Sequence, residues 1–497
     1  MLGIQQQSDF ENYYNVEFIK KLVNKAESES RKQDHNRKWM NLGDEYYEGQ
    51  QSIRNKKRMA IGEGGMLMEV PNLPNNIIVD NEYERLVVQK SNYLVGQPPT
   101  FLSEDKDYNE ALKKTFDEYF DRTLLYATVD ALNGGIGWIM PFYDENLELK
   151  FRKFKPSEII PVWSDEAHTQ LDFAIRVYSV TVYENGLERS QKMADVFHPD
   201  GRMSYKVDGN DYELVIDEGY VNAVDESGAI SARYSWGGKV PLVPFKYNSK
   251  EIPLIKKVIT LQDALNLIQS DLMDNMQENT RNTILVLVNY DGQNLGEFRK
   301  NLSQYGAVKV KDTNGGSGDV KTLQVEVNIE NYETTVSMMK RAIISNGKGY
   351  DTKDLNAGTP NQMNIKSMYT DIDLDTNMME TEFQASMKEL IHFVDTHLLN
   401  MGVGDYSDII VDVTFNRDMI VNESEVMQTL VAAGMRMSQK SLLNQSPYVP
   451  DVDKELELVA EEDAQKAQSL DPYGGSDFGF SSHGHFGSEA DEDSTEE

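Results

Sequence analysis

Two long amphipathic patterns separated by a β-patterned insert constrain this chain more than any other feature. After Pro253, the residues Leu254, Val258, Leu261, Leu265, Ile268, Leu272 and Met276 recur in steps of three and four. That spacing predicts one helix from Leu254 to about Asn282, spanning about 43 Å. A second begins near Asn328, with Ile329, Tyr332, Val336, Met339 and Ile343 on one face. Between them, Ile284–Tyr290, Ala307–Asp312 and Val320–Val327 read as strands, with Asn314–Gly318 as a turn. The reading is a small αβ insert carried between two helices that pair. After a polar, glycine-bearing segment, Asn346–Asn364, a third helix runs from about Ile365 to Leu399. Its stripe is Met368, Ile372, Phe383, Met387, Leu390, Val394 and Leu398.

The rest of the chain is mixed. Helical spacing covers Val16–Tyr47, ended by Gly49, then about Asp80–Leu94 and about Asn109–Asn133. Gly134–Asp144 opens a β-rich stretch, and alternation in LKFRKF, FAIRVYSVTVYE, KMADVFH, DYELVID and RYSW predicts antiparallel strands to about Val243. Asp408–Asn416 reads as a strand, and Glu423–Met437 and Val452–Gln468 as helices. Ser469–Glu497 is Gly, Ser, His and acid, with little to bury.

Charge and composition exclude several classes. The formal charge is −33, with 82 acidic and 49 basic residues, so a simple cationic nucleic-acid binder is not expected. There is no cysteine, hence no disulfide or thiolate metal site. The N-terminus has no signal-peptide pattern and no apolar run reaches about 18 residues, so neither export nor a membrane span is expected. GxxxxGK[ST], HExxH and GxSxG are absent, and no enzyme activity or cofactor is expected. Asp371-x-Asp373-x-Asp375, with Glu382 beyond, imitates a calcium loop, but Thr376 stands where that loop needs Gly; it is read as a solvated helical face. His483 and His485 offer only a weak metal reading.

Four motifs, in order, carry a resemblance. They are Tyr46-Tyr47-x-Gly49 followed by Pro74-Asn75-Asn76; Lys90-Ser91-x-Tyr93-x-x-Gly96-x-Pro98; Glu251-Ile252-Pro253-Leu254 leading into a helix with Ser270-Asp271; and Gly434–Glu462. Together they resemble bacteriophage portal proteins, in the branch typical of tailed phages of Gram-positive hosts. The resemblance implies an α+β portal fold. An α/β wing would cover 1–253 with a long kinked wing helix and strand in 365–422. Paired stem helices would be 254–282 and 328–350, a small αβ clip 283–327, a tunnel loop 351–364 and a helical crown 423–468. The acidic tail, 469–497, matches no motif of the family and is expected to be disordered.

The resemblance also implies a function: a dodecameric ring at one capsid vertex, through which double-stranded DNA enters and leaves without sequence recognition. Implied partners are other copies of the chain, the terminase large subunit, a head-completion or adaptor protein, and the major capsid and scaffolding proteins. The implied location is the virion's portal vertex, and host cytoplasm during assembly. Another ring-forming head–tail connector is the alternative. The DNA-facing loop would comprise Asp351, Thr352, Lys353, Asp354, Leu355, Asn356, Ala357, Gly358, Thr359, Pro360, Asn361 and Gln362. Leu355–Asn364 has no charged side chain, and is either an ordinary surface loop or, the favoured reading, a lip touching DNA without a phosphate clamp. In the clip, Arg299, Lys300, Lys309, Lys311 and Lys321 balance five acids and suit docking to protein partners. The basic run Arg54, Lys56, Lys57 and Arg58 is either a solvated loop or a contact to an acidic face of a neighbouring subunit.

Overall fold

A computed structural model describes residues 15–32, 35–61, 66–70, 73–144, 147–184, 186–224, 230–234, 236–279, 284–288, 319–323, 329–351 and 362–417, with a few positions between 438 and 460. The chain divides into two units, Met1–Met419 and Ile420–Glu497. In the second, the described positions Leu443, Val452, Glu455, Leu456 and Leu458 to Ala460 are helical; the expected helix 423–437 and the tail 469–497 lie outside the described residues.

The first expected helix is two. α1 (Val16–Ser30) is capped by Asn15, whose Oδ1 accepts from the Glu17 N–H at 3.0 Å. α2 (Asn36–Tyr47) starts afresh after His35, whose ring nitrogen takes the Arg37 N–H. α3 (Glu82–Val95) follows. The next expected helix also splits, into α4 (Lys106–Thr115) and α5 (Glu118–Gly134), because Asp117 accepts two N–H groups as a new cap.

Short strands β1 (Met59–Ile61) and β2 (Leu67–Glu69) form a ribbon. β3 (Thr100–Leu102) pairs with the late strand β16 (Asp412–Thr414). β4 (Ile136–Tyr143), β5 (Leu149–Phe154) and β13 (Val243–Lys246) make a three-stranded antiparallel sheet in the order β13-β4-β5. β6 (Ile159–Trp163), β7 (Leu171–Glu184), β8 (Leu187–His198), β9 (Gly201–Asp208) and β10 (Asp211–Glu218) form a meander in sequential order, with β11 (Val221–Val224) and β12 (Ile230–Tyr234) as a separate hairpin. α1 lays Ile19, Val23 and Ala26 on Ile160, Phe173, Ile175 and Val196 of the meander. Arg37 ties α2 to the same region, donating to the Ser157 and Ile159 carbonyls at 2.6 Å each.

The predicted long helices are present. α6 (Ile255–Asn279) packs against α7 (Ile329–Gly347). Between them β14 (Ile284–Val288) pairs antiparallel with β15 (Asp319–Leu323), from Ile284 opposite Leu323 to Val288 opposite Asp319. The strand expected at Ala307–Asp312 lies outside the described residues. α8 (Gln362–Asn400) is a single helix of 39 residues. Its Ile372, Phe383, Met387, Leu390, Val394 and Leu398 are buried, as its spacing predicts. Phe383, Met387, Leu390, Val394 and Leu398 share one core with Tyr83 and Leu94 of α3, Phe120 and Leu124 of α5, Phe245 of β13, and Val258 and Leu265 of α6, while Ile372 packs in a separate cluster with Tyr93 and Tyr369. Among the described residues, no helix is long and apolar enough to cross a membrane.

Candidate functional site

The polar side of α6 is not a solvent face. Gln262, Asn266, Ser270 and Asp274 stand four residues apart, so they form one line along the helix, and all four are fully buried. Against them lies an extended segment, 74–81, running antiparallel to α6. Asp274 Oδ1 accepts the Asn76 N–H at 2.6 Å, Ser270 Oγ the Ile78 N–H at 3.0 Å, and Asn266 Oδ1 the Asp80 N–H at 2.9 Å. Gln262 Oε1 then accepts the Tyr83 N–H at 3.1 Å, and its amide donates to the Asp80 carbonyl at 2.7 Å. The geometry follows from two rises: two extended residues advance about 6.6 Å and four helical residues about 6 Å. Alternate N–H groups therefore meet successive side chains, and the helix acts as a substitute strand partner.

The basic run belongs in part to this joint: Arg54 and Lys57 are exposed, as a solvated loop predicts, whereas Lys56 and Arg58 turn to an acidic face of their own chain. Lys56 Nζ sits 2.7 Å from Asp274 and 2.8 Å from Asp271 of the same chain, and Arg58 is 3.5 Å from Asp274. Burial pulls the Lys56 pKa down, but the bonds and charges of the two aspartates outweigh it and raise it. Lys57 pairs with Glu69 of β2, and Arg54 donates to the Gly49 carbonyl at 2.8 Å. Asn75 donates to the Lys56 carbonyl, and Asn81 to the carbonyls of Tyr46 and Tyr47. The Tyr46 hydroxyl donates to Asp263 of α6 at 2.6 Å. Motifs spread over more than 200 residues of sequence thus meet at one place on α6.

The start of the segment that links α7 to α8 is seated on α3. Leu86 fills the space beside Gly347 and Gly349, where an added Cβ would come within 2.4 Å of its methyl groups. Gln89 donates to the Tyr350 carbonyl at 3.0 Å, Lys90 Nζ to the Lys348 carbonyl at 3.1 Å, and Arg85 pairs with Asp351 at 3.3 Å. Tyr350 packs its ring 4.7 Å from Tyr369 of α8, which stacks on Tyr93 of α3. Of the predicted loop residues, Asp351 is therefore held in the clamp and Gln362 opens α8; Thr352 to Asn361 lie outside the described residues. Of the predicted clip cations, Lys321 falls in β15, opposite Val286; Arg299, Lys300, Lys309 and Lys311 lie outside the described residues.

The carboxylates on α8 require a correction. Asp375 is not solvated but 6% exposed. Lys90 Nζ lies 2.7 Å from its Oδ2, and the Tyr247 hydroxyl donates to the same oxygen at 2.5 Å. Lys257 and Lys348 each approach Oδ1 at 3.4 Å. Burial opposes the Asp375 charge, yet Lys90 and Lys257 hold its carboxyl well below the usual range. Burial is also the largest influence on Lys90, whose pKa is pushed down to about 8 against the attraction of Asp375. Asp373 accepts from the Tyr93 hydroxyl and from Arg417, so it too is engaged; Asp371 is exposed as expected. The helical spacing shows a charged face, but the lysines that bury Asp375 come from three distant elements. Among the described residues, no group of three or more His, Asp or Glu side chains could hold a metal ion; His483 and His485 lie outside them.

Mechanically, this is a set of joints. α6 is bound to 74–83, α3 to the root of the 352–361 segment, and α3 to α8 through Lys90 and Tyr93. The comparisons agree with what these motifs suggest. The family model described as "Phage portal protein, SPP1 Gp6-like" matches residues 26–469. The portal protein of Bacillus phage SPP1 is 29% identical over 454 residues, covering 89% of this chain and 88% of its own. That of Clostridium phage phiCD119 is 26% identical over 410 residues, covering 80% and 87%. A chain from the virion of a native gene transfer agent particle overlaps 72% of this chain and 87% of its own, with 10% identity and a TM-score of 0.40. The family match spans most of the chain and both relatives are named for the same role: the protein belongs to the SPP1 Gp6-like family of phage portal proteins.

Proposed function

We propose that twelve copies form a closed ring at the portal vertex of the capsid, a conduit for double-stranded DNA during packaging and ejection. In this reading α6 and α7 are the stem and 283–327 the clip that docks the terminase large subunit and later a head-completion protein. Residues 1–253 with 365–422 form the wing, and 423–468 the crown, where capsid and scaffolding proteins lie near. Assembly takes place in the host cytoplasm. Segment 351–364 is the tunnel loop, whose copies gather around the axis.

The observation that carries this reading is the loop's mounting. Its root is clamped by Arg85, Leu86, Gln89 and Lys90, and its far end enters a 39-residue helix. Both ends of the segment are thus anchored, which suits a lip at a channel. Leu374 and Met378 of α8, each 57% exposed in the single chain, provide apolar surface for a neighbouring copy. Twelve copies of a chain with charge −33 present phosphates with mostly repulsion, which suits passage better than retention.

Two measurements test it. Light scattering on purified protein gives the mass of a large closed oligomer; a monodisperse monomer at micromolar concentration overturns the reading. Asn356→Lys with Gln362→Lys adds two cations per copy, and is expected to increase salt-sensitive DNA retention and slow packaging with assembly intact. Unchanged retention and rate at low salt would remove the loop from the DNA path.

A further inference from the structure

The Asp375 cluster holds more positive charge than its structural role requires. Three ammonium groups, Lys90, Lys257 and Lys348, share the one carboxylate. Among the described residues, no second carboxylate forms an ion pair with any of them. In a chain with 82 acidic and 49 basic residues, this pocket is short of negative charge. The three are not equivalent. Lys90 is 1% exposed and spends its donors on Asp375 and the Lys348 carbonyl. Lys257 and Lys348 have side chains 32% and 43% exposed, and both sit 3.4 Å from the same oxygen, Oδ1. An ammonium has three donors. Among the described residues, Lys257 spends two, on Asp375 and the Tyr247 hydroxyl, and Lys348 faces Asp375 as an ion pair. The unspent donors belong to two neighbouring cations that solvent reaches.

We propose that Lys257 and Lys348 form a phosphate-binding notch beside the root of the 352–361 segment, taking one phosphate group between them. The donors select the ligand class. Two compact ammonium charges suit a phosphate, whose oxygens accept from any direction, whereas paired recognition of a planar carboxylate favours a guanidinium fork. Arg85, the guanidinium of the same clamp, is already engaged by Glu82 and Asp351. Asp375 lies beneath the notch and weakens its pull, so the contact is brief. Resting on the portal reading, the phosphate is a phosphodiester of the passing duplex; free inorganic phosphate offers the same chemistry. Segment 355–364 carries no charge, so this notch gives the loop a phosphate contact at its base that its tip lacks.

The test uses the full wild-type chain. Lysine acetylation rates are read residue by residue by mass spectrometry, with and without inorganic phosphate at constant ionic strength. Phosphate is expected to slow Lys257 and Lys348 about fivefold relative to Lys25, a 70% exposed lysine of α1. Equal slowing at all three, or none, overturns the proposal. Lys257→Gln with Lys348→Gln should weaken phosphate binding about tenfold, and Lys25→Gln should leave it unchanged. Binding that survives the double substitution also overturns it. A duplex oligonucleotide added to the assembled ring assigns the source. Protection of the same two lysines supports the DNA phosphodiester; protection by phosphate alone keeps the notch and assigns it to free phosphate. If mass measurement finds no ring while phosphate still protects, the notch stands and the portal reading of its ligand falls. Protection that appears on oligomerisation without phosphate would assign the cations to a neighbouring copy's carboxylate and overturn the proposal.

Discussion

Lys90 Nζ and Asp375 Oδ2 lie 2.7 Å apart, with side chains 2% and 8% exposed, and they join α3 to α8 across 285 residues of sequence. Breaking such a pair costs more than the pair itself contributes, because the remaining charge stays buried. Asp375→Asn should therefore lower stability by about 3 kcal/mol at neutral pH. Burial works against the Asp375 charge, but the lysines hold its folded pKa below the unfolded value. Its contribution is complete above the unfolded pKa of about 3.9 and is lost as pH falls through the folded value. Urea midpoints at pH 7 and pH 3 check this: the gap between variant and wild type should shrink in acid. A gap that is constant with pH would show that the ion pair is not its cause.

Glu389 is expected to behave in the opposite sense. Burial, only partly offset by Lys239 and Lys246, pushes its carboxyl up to about 7. A raised acid stabilises the fold below its unfolded pKa, and that stability is lost as pH rises towards the folded value. Glu389→Gln removes the titration and keeps the shape. The variant should match wild type near pH 5 and exceed it at pH 8 by about 2 kcal/mol. Thermal melts at the two pH values decide the matter, and a variant less stable at pH 8 would contradict the assignment.

What was legible in the sequence follows from how each signal arises. The stripe of α8 and the apolar face of α6 repeat within one element, so spacing alone reveals them. The break at Phe116–Asp117 is hidden because Leu112, Phe116 and Phe120 keep helical spacing across it, and the capping residue Asp117 is its sign; at Arg31–His35 the sign is the absence of any apolar residue between Ala26 and Trp39. The line Gln262, Asn266, Ser270 and Asp274 was also visible as four short hydrogen-bonding side chains at strict four-residue spacing. An amphipathic reading assigns such a line to water, and only the extended segment beside it reverses that. Asp375 gave no sign at all, since Lys90, Lys257 and Lys348 are brought to it by tertiary packing.

The joint on α6 predicts a graded response. Ser270→Ala removes one acceptor and leaves the Ile78 N–H unpaired, at about 1 kcal/mol. Asp274→Ala removes one of the two carboxylates beside Lys56, a charge beside Arg58 and the acceptor of the Asn76 N–H together, and should cost about 3 kcal/mol. Chemical denaturation orders the two, and hydrogen exchange should speed at Asn76 and Ile78 before other sites. Equal small losses for both would mean that 74–81 is held by something other than this line of side chains.

The seat of Gly347 and Gly349 on Leu86 makes the last prediction. Neither glycine shows a left-handed φ, so the obstacle to a side chain there is space and not backbone conformation. A Cβ at either position would come within 2.4 Å of a Leu86 methyl, which is the end of a flexible side chain. Gly347→Ala should therefore cost about 1–3 kcal/mol through overpacking. Leu86→Ala alone should cost about 2–5 kcal/mol by opening a cavity. Combined, the added methyl fills part of that cavity, so the double variant should be more stable than the sum of the singles predicts, by at least about 0.5 kcal/mol. A double-mutant cycle in urea measures this coupling. An additive pair would mean that the segment's root does not rest on Leu86, and that the clamp from α3 is held by Gln89 and Lys90 alone.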